Sequence, residues 1–266
     1  MALITTSDLE TYLGAGAGSY TAAQLQAAAD QAGAAVESWC GRHFAAADYA
    51  EWLTPAGEIV SLPEYPVLAV YRVTPAGEQA LKLTCTDASM VSIGAAVGAG
   101  KLVLTQTGND TTISNSQSIQ LASYNTLQTL MEAINLLSGW HADLMGIGGE
   151  PPDLRPTHAT VPRTSAIYLE APAPDSIVDA VLLEPDAGLL RWPWPSGTRS
   201  VFVRWRAGYE TIPSDLADLL AALERPGNLV SERIGEYEYK LSDAAVASRM
   251  AKYSQLIEPY RRRSVL

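Results

Sequence analysis

No stretch of this 266-residue chain stays apolar for the roughly 20 residues that a membrane-spanning helix needs. Its opening, Met1-Ala2-Leu3-Ile4-Thr5-Thr6-Ser7, has neither a basic flank nor an apolar core, so no export signal is expected. Only two cysteines occur, Cys40 and Cys85, and nothing in their spacing suggests a bridge. Free thiols in a reducing compartment are expected. The three histidines, His43, His141 and His158, stand apart, with no His-x-x-x-His or Cys-x-x-Cys to suggest zinc. There is no Gly-x-Ser-x-Gly elbow, and no carboxylate pair stands out as general acid and base. Gly94-Ala95-Ala96-Val97-Gly98-Ala99-Gly100-Lys101 resembles a phosphate loop, but five residues separate Gly94 from Gly100, and Leu102 replaces the hydroxyl residue that would reach Mg²⁺. It reads instead as a hairpin loop. Neither an enzyme nor a cofactor has a motif behind it.

What is present is a globular composition, 47% hydrophobic and 18% charged, long enough for one large domain or two small ones. The formal charge of −11 is uneven. Residues 249–263 hold five basic residues against Glu258, a local +4 that leaves −15 for the remainder. An acidic body argues against wrapping nucleic acid. A basic tail on it suggests docking to an acidic partner surface or to another copy of the chain.

Two capping boxes open the chain. Ser7-Asp8-Leu9-Glu10 predicts a short helix ending near Gly14, and Thr21-Ala22-Ala23-Gln24 predicts one reaching about Gly41. The second has a stripe of Leu25, Ala29, Ala32 and Val36 so small that a partner helix should pack closely on it. Strands are expected at 49–53, 58–62 and 67–74. Residues 75–187 then carry four basic residues against twelve acidic ones. They read as a self-contained α+β insertion, with strands near 80–86, 88–93, 100–105, 117–122, 165–170 and 177–184 and a helix over 126–138. From Gly188 a hairpin of 189–192 and 200–206 is expected through Pro195-Ser196-Gly197. Helices should follow over 213–225, 229–235 and from Ser242, the last ending at Pro259. That leaves Tyr260 and Arg261–Arg263 as a free arm.

Cys40 and His43 lie one helical turn apart, but Cys40 falls on the buried side of its helix, so core packing is the stronger reading. Trp192, Trp194, Trp205 and Tyr209, with Tyr237 and Tyr239, are compatible with sheet core, with an interface rich in aromatic anchors, or with a sugar platform.

Several segments, in order, resemble tailed-phage head–tail connector (adaptor) proteins. They are Leu9–Leu13, the helix ending Trp39-Cys40-Gly41-Arg42, Leu62-Pro63-Glu64-Tyr65-Pro66-Val67, Ala207-Gly208-Tyr209, Ile212-Pro213-Ser214-Asp215-Leu216, Ser231–Tyr237 and Glu258-Pro259-Tyr260-Arg261-Arg262. The resemblance covers 1–74 and 188–266. It departs at Pro226-Gly227 and in the size of the 75–187 insertion. It implies a helical-bundle core with a small antiparallel sheet, which together with the inserted lobe read from the residues gives an expected α+β fold. It also implies a homo-oligomeric, dodecameric ring at the virion neck, assembled in the host cytoplasm, that docks on the portal protein and meets a stopper or tail protein. DNA would pass through its channel without sequence-specific binding, and neither a cofactor nor a membrane would be involved. Portal contacts would come from Pro259, Tyr260, Arg261, Arg262, Arg263 and Leu266. Ring contacts would come from Ala29, Ala32, Ser231, Glu232, Arg233, Tyr237 and Tyr239. Gly208 and Pro213 would form the corner between sheet and helices. The alternatives are a carbohydrate-binding virion or surface protein, and a tail-terminator or stopper component.

Overall fold

The computed structural model describes residues 7, 10, 21–109, 113–146, 149–213, 231–234, 237–240 and 258–261. Helix α1, Ala22–Cys40, starts at a complete capping box in which Thr21 accepts from the Gln24 N–H and Gln24 reaches back to the Thr21 N–H. It buries Leu25, Ala29, Val36 and Cys40. The other described α-helix, α2, spans Leu127–Asn135 and buries Leu127, Leu130 and Ile134. Neither helix is long and apolar enough to cross a membrane.

Strands carry the rest. They are β1 Ala47–Leu53, β2 Ile59–Ser61, β3 Val67–Thr74, β4 Gly77–Cys85, β5 Met90–Gly98, β6 Lys101–Gly108, β7 Ile113–Gln120, β8 Trp140–Leu144, β9 Thr157–Pro162, β10 Ile167–Pro172, β11 Leu182–Glu184, β12 Leu189–Arg191, β13 Val201–Ala207, β14 Ser231–Ile234 and β15 Tyr237–Lys240. They form antiparallel sheets ordered β1-β13-β3, β10-β4-β8, β11-β12-β2 and β7-β6-β5-β9, plus the β14-β15 hairpin.

The expected helical-bundle core is therefore overturned. Among the described residues both apolar clusters are built on sheets. One cluster, the body core, draws Val60, Leu62, Val67, Val73, Leu190, Trp194, Val201, Val203 and Trp205 from the β1-β13-β3 and β11-β12-β2 sheets and their connections. The physical reason lies in the residues. Valine and tryptophan at every second position of β13 fill a pleated face, whereas the stripe of α1 is too small to anchor a bundle. The second cluster lies wholly within residues 80–171. There α2 and the two remaining large sheets bury Leu81, Leu83, Ile93, Leu102, Leu104, Leu130 and Trp140, forming what we call the lobe.

Other expectations change with this. Ser231–Ile234, expected in a helix, pairs as a strand with Tyr237–Lys240. β12 and β13 do not form a hairpin, because β12 pairs with β2 and β11 while β13 lies between β1 and β3. Gly94–Gly98 is strand rather than loop, and the turn is only Ala99-Gly100, both at positive φ. Residues 177–184 pack on the body core through Ile177, Val178, Val181 and Leu183, although the charge pattern grouped them with the insertion. The helices expected over 7–14, 213–225 and from 242 lie largely outside the described residues.

The lobe enters and leaves at one place. The Ala173 N–H donates to the Ala76 carbonyl at 3.3 Å, and Ser176 Oγ accepts from the Val73 N–H at 3.1 Å. Arg72 also donates to the Ala173 carbonyl.

Candidate interaction site

Past α1 the chain turns at Gly41, left-handed at φ 69°, and points Arg42 inward. Arg42 is 3% exposed, unusual for a guanidinium that makes no ion pair among the described residues. Aromatic rings surround it instead. Its Cζ lies 4.0 Å from the Tyr65 ring centre, 4.9 Å from Phe44 and 5.9 Å from Tyr209. Its Nη1 donates to the Tyr65 carbonyl at 2.7 Å, while its Nε finds no hydrogen-bond partner among the described residues. A desolvated cation on ring faces is worth about 2 kcal/mol or more, which offsets part of the cost of burying it.

Two carboxylates hold the loop that carries these groups. Glu37 accepts from the Phe44 N–H and meets His43 Nδ1 at 3.1 Å, while Glu64 accepts from the His43 N–H at 2.8 Å. Burial, followed by the nearby Glu64, pushes the Tyr49 phenol up to about 12, so it stays neutral. Burial also pushes the Cys40 thiol up, against the pull of Arg42 and Arg261. With His43 turned to Glu37, a Cys40–His43 nucleophile pair is not formed.

Gly208 closes the arrangement. Its N–H donates to the Pro66 carbonyl, and the next N–H, that of Tyr209, donates to the Phe44 carbonyl at 2.7 Å. At φ 110° a Cβ on residue 208 would sit 2.6 Å from the Ala45 carbonyl oxygen, so only glycine fits. The short 3₁₀ turn Glu258–Tyr260 completes the ring cluster. Tyr260 meets Phe44 edge-on at 5.9 Å and Tyr209 at 6.5 Å, and Tyr65 Oη donates to the Arg261 carbonyl at 2.7 Å. The arm expected to be free from Tyr260 onward is thus seated through Tyr260 and Arg261.

The structure brings Gly208, Tyr260 and Arg261 to this hub and Pro259 into the turn beside it. Arg262, Arg263 and Leu266 lie outside the described residues. Ala29 is buried in α1, which also contains Ala32. Ser231, Glu232, Arg233, Tyr237 and Tyr239 lie on the β14-β15 hairpin, and Pro213 follows the corner outside any regular element. Arg42, Phe44 and Tyr65 were not foreseen as site residues. Their signal was a lone arginine followed two residues later by an aromatic, directly after a helix stop.

A second set of contacts joins lobe and body. Even-numbered residues of β13 point away from the body core. Phe202 packs on Trp52, whose Nε1 donates to the Asp153 carbonyl at 2.7 Å, and Arg204 pairs with Asp153 at 2.9 Å and Glu150 at 3.3 Å. The Asp153 side chain is only 3% exposed, and burial pushes its carboxyl up despite Arg204. Trp194 and Trp205 are core residues, with Trp192 tilted against Trp194 at 5.4 Å. No group of three or more metal-ligating side chains occurs among the described residues.

Neither a family model nor a curated protein matches the chain. Among solved structures it is similar to a chain in the neck of an empty GTA particle computed with C6 symmetry, at 16% identity and a TM-score of 0.33, over 99% of this chain and 92% of that one.

Proposed function

We propose that this chain is a structural neck protein of a tailed-phage-like particle, an adaptor whose copies form a ring that docks on the portal, extends the DNA channel and meets the stopper or tail. One observation carries the reading. Four of the segments that resemble adaptors, around Arg42, Tyr65, Gly208-Tyr209 and Tyr260-Arg261, lie far apart in sequence yet meet in one hub. The resemblance thereby acquires a physical unit, one that ties the end of α1 to the C-terminal segment. The acidic body suits a channel through which DNA slides without sticking. The role is structural, and the chain performs no chemistry. The sugar-platform reading of Trp192 and Trp194 loses its basis, because Trp194 is buried in the body core.

Electron microscopy of the purified chain, alone and mixed with purified portal rings, tests the proposal. Rings that cap the portal are expected. A chain that stays monomeric at every concentration and leaves the portal bare would overturn it.

A further inference from the structure

Where the lobe meets the body loop 198–199 there is an open pocket of about 430 Å³, lined by Arg155, Pro156, Thr157, His158, Tyr168, Glu170, Thr198 and Arg199. We infer that this pocket binds an acidic saccharide, a uronate-type sugar whose carboxylate is taken by Arg199 and whose ring lies on Tyr168. The volume is that of a small-ligand cleft. Its charge runs against that of its surroundings, since two arginines face a single carboxylate, Glu170, at the edge of the most acidic part of the chain.

The two arginines are held differently. Arg155 is fixed by its pair with Glu170, by donation to the Thr198 carbonyl at 2.8 Å, and by the Trp52 ring 5.6 Å away. It forms the floor. Arg199 is exposed and held at φ 50°, a left-handed conformation that a residue with a Cβ adopts at a cost and glycine adopts freely. Its N–H donates to Thr54 Oγ1 at 2.8 Å, which fixes the backbone and leaves the guanidinium to a ligand. The Tyr168 ring is 43% exposed at the rim, an aromatic face of the kind on which sugar rings pack. Glu170, Thr157 and Thr198 supply acceptors and hydroxyls for sugar hydroxyl groups. The Glu170 carboxylate also disfavours a doubly charged phosphate, so one carboxylate among hydroxyls fits the lining best.

Titration calorimetry of the full chain with trigalacturonate, maltotriose and inorganic phosphate tests this. Saturable binding of trigalacturonate is expected, at least tenfold tighter than either of the others. Arg199→Gly and Tyr168→Ala should each weaken it at least tenfold. The Arg199→Gly protein should melt no lower than the parent, because glycine relieves the backbone. No saturable binding of trigalacturonate, equal binding of phosphate or of maltotriose, or unchanged affinity in the Arg199→Gly protein would each overturn the inference.

Discussion

At the scale of single residues, two positions let backbone and charge be read separately. Ala99 sits at φ 49° in the two-residue turn between β5 and β6, followed by Gly100 at φ 72°. Such turns favour asparagine at the first position, because its side chain tolerates the left-handed region. Ala99→Asn should therefore raise stability by about 0.5 kcal/mol, read as a higher urea midpoint at unchanged slope. Asp153 tests charge. Burial raises its carboxyl in the fold above the ordinary value of 3.8, so the folded chain holds that proton more tightly than the unfolded one. Stability contributed by this group is greatest at low pH and falls as pH rises from near 3.8 through the raised value. Asp153→Asn has no such proton. The melting temperature of the parent minus that of the variant should decrease across this interval and level off above it. A difference that instead grows with pH would mean that Arg204 outweighs burial.

At the scale of elements, the hub makes the C-terminal turn part of the packed structure. Tyr260 contributes two edge-on ring contacts, each worth about 0.5–1.5 kcal/mol beyond burial, so Tyr260→Ala should cost about 1–3 kcal/mol or more in chemical denaturation. Unchanged stability would restore the picture of a free arm. Elements whose period matched their environment were legible in the sequence. β3 runs over the residues expected, and α2 follows its Leu127, Leu130, Ile134 stripe. β8 and β9 were missed, since His141, Asp143, His158 and Thr160 give them no apolar run; both are edge strands. Reading 229–235 as a helix passes over the fact that Ser-Glu-Arg-Ile and Tyr-Glu-Tyr-Lys flank Gly-Glu as the strands of a hairpin would. The hub itself was illegible, because four segments separated by up to about 200 residues meet only through tertiary contacts, and no local pattern encodes them.

At the scale of the whole molecule, the lobe core shares no residue with the body core, and Ala76 and Ala173 already touch. Joining them by a short glycine linker, with 77–172 removed, should leave the body folded but weaker by about 2–4 kcal/mol, from exposure of Trp52 and Phe202. The excised 77–172 segment should melt cooperatively on its own, as followed by near-ultraviolet circular dichroism. Failure of either piece to fold would make the seam at Asp153 and Arg204 part of a common core. The same Ala76–Ala173 clasp has a mechanical consequence. Tension applied between the chain's two ends is carried first by the ring cluster around Arg42 and by the ladder in which β13 lies between β1 and β3. The lobe sits outside the hydrogen-bonded shortcut between Ala76 and Ala173, so a pull on it from outside reaches the ladder through two attachments, that clasp and the seam where Asp153 meets Trp52 of β1 and Arg204 of β13.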